Sequence, residues 1–260
     1  KNFFKEASNL RSLKIKKITP NHKLEQKLTV SITAKAERFT FLHLTLSSIL
    51  NQTIHPDEII LWIEREYKRK LPKKILKFKS YGVKILFCKN LKSFNKIIHT
   101  IKLRKDNYII TFDDDIIYHK SNIEYLTNKA SKFKNQIIAN RVHKIKLKNK
   151  VPIEYNKWKW NHNKSEKNRL NFQTGVYGVL YPPKCFHKDM IKESLFKKLT
   201  PLADDIWIYW MIRMNKRYVV WSGFNKKNTE SINFDYKSLR RINISKNFND
   251  IQIKNLINFY

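Results

Sequence analysis

Apolar positions along the chain fall into two rhythms. Runs rich in β-branched and apolar residues occupy 28–33 (LTVSIT), 58–63 (EIILWI), 83–87 (VKILF) and 108–112 (YIITF). Little polar alternation interrupts them, which predicts strands covered on both faces. Between them, helical spacing places Leu42, Leu46, Ile49 and Leu50 on one side of 41–50, and Phe94, Ile97, Ile98 and Ile101 on one side of 94–103. A short helix is expected over 71–78, with Pro72 in its first turn. Strand and helix therefore alternate, the order that builds a parallel sheet with helices on both faces. The second half is less regular. It predicts a helix over 122–133, strands over 136–142, 176–181 and 217–221, a helix over 203–214 and a closing helix over 250–260. Residues 143–172 are rich in Lys, Asn and Trp without periodicity, too long for a structureless loop in a compact domain, so they are expected to be functional or mobile. Residues 1–27 read as a basic N-terminal extension or short basic helix, and 28–260 as one α/β domain. The chain starts at Lys1 rather than Met, from which we expect a trimmed start.

Composition narrows the classes. The chain has 260 residues, 42% of them hydrophobic and 13% aromatic, enough for a sizeable core and too much for a disordered basic tail. Two cysteines exclude a disulfide scaffold. No apolar run reaches the roughly 18 residues that a membrane span needs, so we expect a cytoplasmic protein. Fifty-four Lys and Arg against 21 Asp and Glu give a formal charge of +33. The dominance of Lys, Asn and Ile is also what an AT-rich genome produces. The field is real nonetheless, and it points to polyanionic partners: nucleotides, nucleic acid or an anionic membrane.

Three clusters carry candidate chemistry. Asp113-Asp114-Asp115 follows the fourth predicted strand directly, on the sheet edge where ligands of such folds sit. Adjacent carboxylates repel, a cost usually offset by a cation, and in extended backbone Asp113 and Asp115 face one way and converge. Mg²⁺ or Mn²⁺ takes one or two such ligands and completes its shell with diphosphate oxygens. Asp204-Asp205 opens the helix at 203–214. The pair is either a cap favoured by the helix dipole or the source of a general base. Gly175 and Gly178 are two of only four glycines, which suggests a bulged strand or a close backbone approach to a ligand. Tyr155, Trp158 and Trp160 lie in a Lys-rich stretch that suits sugar rings and phosphates, RNA bases, or plain loop packing. Trp207, Trp210, Met211 and Met214 are expected in the core.

These blocks, in this order, resemble GT-A-fold glycosyltransferases of the family 2 type that build bacterial capsule and lipopolysaccharide. The resemblance runs from 28 to 260: VSIT at 30–33 through Arg38, LSSILNQT at 46–53, PDEIILWI at 56–63, TFDDDIIY at 111–118 as the DxD metal motif, GVYGVLYPP at 175–183, LADDIW at 202–207 and the tail at 243–260. It implies a Rossmann-like, mostly parallel sheet, with 28–120 as the nucleotide-binding half and 121–260 as the acceptor and sugar half. It implies a sugar transfer from a nucleotide-sugar, most simply a UDP-sugar, to a hydroxyl of a glycan or lipid-linked glycan, with inversion. It implies that Asp113 contacts the ribose or diphosphate, that Asp115 holds Mn²⁺ or Mg²⁺, and that Asp114 orients either one. It further implies that Asp205, or Asp204, is the base. Thr33, Arg38, Glu64 and Lys96 would line the nucleotide pocket, and Gly175 and Gly178 would admit the donor sugar. Departures are the missing prolines at 34–37 and the bulky Tyr177, which narrows the sugar site. His162 and His187 are candidates for a third metal ligand, although a core or surface role suits them better.

Two rivals compete. A nucleotidyltransferase would use the same edge, but it normally wants a glycine-rich or Lys/Arg phosphate loop where this chain has Ala34-Lys-Ala-Glu37, with no glycine. A basic nucleic-acid-binding module explains the charge but not two acidic clusters, so no nucleic acid is expected. The charge predicts contact with the anionic inner face of a membrane. Pelleting with phosphatidylglycerol vesicles should weaken sharply as salt rises; indifference to lipid charge and to salt would refute the contact.

Overall fold

The computed structural model describes residues 17–225, 230–232, 243 and 247–260. Residues 1–16 of the expected extension, and 244–246 of the tail, lie outside them. The first four predicted strands form as read: β1 (Leu28–Thr33), β2 (Glu58–Glu64), β3 (Val83–Cys88) and β4 (Tyr108–Phe112). Their connecting helices are α1 (Leu42–Leu50), the one-turn α2 (Lys73–Leu76) and α3 (Asn95–Leu103). β5 (Ile116–Ile117) and α4 (Asn122–Lys132) follow, then β6 (Ile137–Ala139), β7 (Val142–Lys144), β8 (Leu147–Lys148), β9 (Val151–Pro152) and β10 (Asn171–Gln173). The chain continues through β11 (Val179–Tyr181), α5 (Glu193–Leu199), α6 (Asp204–Met214), β12 (Val219–Trp221), β13 (Glu230–Ser231) and α7 (Phe248–Phe259).

Seven strands form the central sheet in the order β12-β6-β11-β4-β1-β2-β3. All neighbours are parallel except β11, which runs antiparallel to β4 and β6. This is the mostly parallel, Rossmann-like α/β architecture of GT-A folds. The pleat sorts side chains to two cores. One takes Val30, Ile32, Ile110 and Phe112 with α1 and α4, and the other takes Ile109, Val179 and Tyr181 with α3, α5 and α6. Polar positions within β1 are paired, not exposed: Ser31 Oγ donates to the Lys96 carbonyl of α3 at 2.5 Å.

Three expectations need correction. The strand expected over 136–142 splits, because Asn140 and Arg141 break it; β6 stays in the main sheet while β7 pairs with β10. The strand expected from 176 begins only at Val179, because Gly175–Gly178 closes a turn with Gly178 N–H donating to Gly175 O at 3.1 Å. Residues 143–172 are not structureless. They carry the β8–β9 hairpin, and their buried Tyr155 and Trp158 pack in the second core. The described part of the N-terminal extension forms no helix: Ile18 and Leu24 lie against the first core, and His22 Nε2 meets Asp57 Oδ2 at 2.7 Å.

Gly178 has φ +99°, and a Cβ there would lie 2.4 Å from the Phe112 ring. Its glycine is thus demanded by packing under β4. Gly178→Ala should cost about 2–4 kcal/mol in urea unfolding, from strain plus overpacking; an unchanged midpoint would contradict this.

Candidate active site

A cavity of about 370 Å³ opens at the carboxyl ends of the strands. Thr33, Arg38, Glu64, Lys96, Asp113, Asp114, Asp115, Gly175, Asp204 and Asp205 all line it. The structure thus brings together residues spread over more than 170 positions. Gly178 is outside the wall, turned to Phe112, so it offers no approach to a donor sugar.

The acid triplet leaves β4 in a turn rather than extended backbone. The Asp113 N–H donates to Tyr118 Oη at 2.8 Å. Asp114 is the buried member; it pairs with Arg38, accepts from the Lys35 N–H at 3.3 Å, and its carbonyl accepts from Thr45 Oγ1 at 3.0 Å. Asp113 and Asp115 stay partly open, with 22% and 26% of their side chains accessible, and meet different cations. Asp113 Oδ1 is 2.5 Å from Lys96 Nζ, and Asp115 Oδ2 is 3.0 Å from Arg38 Nη1.

Lys96 also reaches the second acidic cluster, with Asp204 Oδ2 at 3.6 Å from its Nζ. Asp205 Oδ2 accepts from the Gly175 N–H at 3.1 Å. A Cβ on Gly175 would sit 3.4 Å from both Asp205 Oδ1 and Lys96 Nζ and 3.5 Å from Asp113 Oδ1. These are ordinary contact distances, so the Gly175 backbone lies close to the charged cluster without packing demanding a glycine there.

The electrostatics follow from burial. Burial opposes the charge on Lys96, but Asp113, Asp204 and Asp205 outweigh it and hold the ammonium well above its ordinary pKa. Burial pushes Asp113 up, yet Lys96 outweighs it and leaves the carboxyl lowered. Burial raises Asp114 despite Arg38. Asp115 is pushed up to about 7 by burial and by Asp113 and Asp114, and Asp205 to about 7 by burial and by Asp204. Burial also raises Glu64, which accepts from Asn95 Nδ2 at 3.2 Å.

Among the described residues, no three His, Cys, Asp or Glu side chains gather as a ready-made metal cage. His162 and His187 do not line the cavity; His187 Nδ1 accepts from the Asp189 N–H at 3.3 Å, and His162 lies 3.5 Å from Glu166. The acid rim still suits a hard cation. Asp113 and Asp115 offer only oxygen donors, and Asp115, raised first by burial and then by Asp113 and Asp114, is an acid that a cation would hold ionised. A divalent ion that keeps substrate oxygens in its shell needs no more than these two ligands.

Arg141 was missed by sequence reasoning. Its Nε donates to Thr174 Oγ1 at 2.6 Å, and its guanidinium lies 5.8 Å from the Tyr177 ring centroid. Applying the strand-end rule to β6 would have found it, since it follows that strand's carboxyl end. His143, Asn249 and Lys35 also line the cavity and gave no local signal. Tyr177 lines it too, at φ +75°, its carbonyl held by Asn122 Nδ2 at 3.0 Å and Asn140 Nδ2 at 2.8 Å.

Sheet, cavity and acid clusters define an α/β fold with a charged cavity at the carboxyl edge of its strands. Residues 29–195, close to two thirds of the chain, match the family described as Glycosyl transferase family 2, and the chain belongs to that family. No curated protein matches the sequence. The crystal structure of S. aureus TarS 1-349 is similar at TM-score 0.51 and 14% identity, over 75% of this chain and 57% of that one. This chain therefore spans little more than half of the TarS fragment. The 4-diphosphocytidyl-2C-methyl-D-erythritolsynthase from Anaerococcus prevotii DSM 20548 is similar at TM-score 0.50 and 15% identity, over 86% of this chain and 96% of that one. At such identities these likenesses establish the fold alone.

Removing the buried cation should expose the acids' repulsion. Lys96→Met is expected to lose about 3–5 kcal/mol in urea unfolding, as for breaking a buried pair. Lys96→Arg should recover part of it, and equal stability of the Met variant would show the cation to be dispensable.

Proposed function

We propose that the protein transfers a sugar from a nucleotide-sugar, a UDP-sugar in the simplest case, to a hydroxyl of a bacterial surface glycan of the capsule or lipopolysaccharide kind, with inversion. One observation carries the reading. Lys96 joins the acid triplet to the Asp204-Asp205 pair within a single cavity, at 2.5 Å and 3.6 Å. A diphosphate-binding end and a proton-accepting end therefore share one wall. The order of the resembling blocks along the sequence supports the surface-glycan acceptor.

Thr33, Arg38, Glu64 and Lys96 receive the nucleotide, and Asp113 turns toward its ribose or diphosphate. Asp113 and Asp115 would hold Mn²⁺ or Mg²⁺, which when bound screens the charge on the departing diphosphate. Asp205 is the base. Its carboxylate is oriented by the Gly175 N–H, and its pKa near 7 balances availability against proton affinity. The acceptor hydroxyl gives its proton to Asp205 as its oxygen bonds to the anomeric carbon. The bond from that carbon to the diphosphate oxygen breaks, and the nucleoside diphosphate leaves with the electron pair. A single displacement of this kind inverts the anomeric configuration.

The loop that a nucleotidyltransferase would use on phosphate is committed otherwise here. Residues 36–38 form a 3₁₀ turn, and the Lys35 N–H is spent on Asp114. Among the described residues, no helix is long and apolar enough to cross a membrane. The charge of +33 supports peripheral docking at the cytoplasmic face of the inner membrane.

A thermal-shift screen of nucleotide-sugars with Mn²⁺ should select one donor, whose turnover releases nucleoside diphosphate. Asp205→Asn should cut transfer about a thousandfold while keeping donor binding, and Asp204→Asn should cut it less. Because the base must be ionised, kcat/KM should rise with pH and level off above about 7. Pyrophosphate release from an NTP, or a product that keeps the donor's anomeric configuration, would overturn the reading.

A further inference from the structure

The segment 143–172 adds a second kind of surface to the cavity. His143, Tyr155, Trp160 and Phe172 line it alongside the acids. Trp160 stacks on His143 with ring centroids 5.1 Å apart and planes 18° apart, and Tyr155 meets Trp160 edge-on at 6.1 Å. Local bonds hold this wall in place. Lys144 and Lys159 exchange backbone hydrogen bonds of 2.8 and 3.0 Å, pinning the strand that carries His143 to the residue before Trp160. The Asn161 N–H donates to His143 Nδ1 at 3.2 Å, so the neutral ring carries its hydrogen on Nε2. Trp158, by contrast, spends its indole N–H on the Ile153 carbonyl at 2.8 Å and faces the core.

One polar atom in this wall is unexplained. The Trp160 indole N–H is buried and has no partner among the described residues. A desolvated donor without an acceptor is costly, and a ligand hydroxyl would relieve the cost. Asn249, buried on the same cavity wall, adds an amide. His143, Tyr155 and Phe172 are themselves buried and back the half-buried Trp160 ring, whose flat face beside a few fixed polar atoms is a surface that a sugar ring fits.

The wall is tied to the reacting acids. β10 carries Phe172, and its neighbour Gln173 donates from Nε2 to the Asp205 carbonyl at 3.0 Å. The strand that supplies the aromatic face thus also fixes the start of α6. We propose that the half-buried Trp160 ring, backed by the buried His143, Tyr155 and Phe172, is the stacking face of the acceptor subsite, which binds a pyranose ring and presents its hydroxyl to Asp205. This rests on the glycosyltransferase reading of the cavity and adds to it which residues choose the acceptor.

The test is saturation-transfer NMR on the full chain with methyl glycosides of glucose, galactose and N-acetylglucosamine, each with and without UDP and Mn²⁺. At least one glycoside should bind and should not be displaced by UDP. Trp160→Ala should weaken it about tenfold or more, and Trp160→Phe, which keeps the packing on His143 but loses the N–H, about threefold. UDP affinity measured by calorimetry should stay within about twofold in both variants. Three results would overturn the subsite: no glycoside binds, UDP displaces it, or the Trp160 variants lose UDP as strongly as glycoside, which would make the wall a nucleobase platform. Trp160-dependent glycoside binding in a protein that never binds a nucleotide would sink the proposed function yet leave a carbohydrate site standing.

Discussion

The ammonium of Lys96 stands between two groups of acids that would otherwise repel each other across the cavity. It touches Asp113 at 2.5 Å and lies 3.6 Å from Asp204. A buried charge is tolerated only when it is paired, and here the pairing runs both ways. The scaffold fixes the cation as firmly as the acids do. Lys96 is the second residue of α3, its carbonyl is held by Ser31 of β1, and the preceding Asn95 side chain accepts from the Leu91 N–H at 2.8 Å. Sheet, helix and charge cluster thus form one mechanical unit.

That unit gives the distribution of charge a meaning. The chain is strongly basic overall, yet six of its 21 acidic residues line one cavity: Glu64, Asp113, Asp114, Asp115, Asp204 and Asp205. A site built to hold a bare polyanion would not gather them. A site that handles an anion together with a cation, and a proton at its other end, has use for each. Arg38 spans Asp114 and Asp115, and that division leaves Asp114 as a buried anchor and Asp115 accessible. The aromatic wall brings a surface of another chemistry to the same space, so charge and stacking meet beside Asp205.

Much of the fold was legible because its first half is built from local signals. The runs at 28–33 and 108–112 are strands since both faces of a central sheet are covered, and each was placed to the residue. The acid clusters were legible for a related reason: a strand end in a parallel sheet is a known location, and both Asp113 and Asp204 sit at element boundaries. The second half was harder to read. Its strands are three residues or fewer, too short for periodicity, and apart from the β8–β9 hairpin their partners are distant in sequence. Asn140 and Arg141 split one expected strand because the Asn140 side chain is spent on the Tyr177 carbonyl, a contact across 37 positions. The polar, Trp-rich stretch after it read as loop, although its aromatic rings fill the second core.

By itself, the sequence determined the α/β alternation and the sheet edge at which the acids sit. These depend on periodicity and on strand ends, which are properties of neighbours along the chain. Only the tertiary structure decided that Lys96 bridges the two acid groups, that Gly175 faces the reactive cluster while Gly178 faces Phe112, and that His143 and Trp160 stack on the cavity wall. Those facts depend on distances of a few ångströms between segments tens of residues apart. Such distances are set by how helices and strands pack, and no local pattern encodes them.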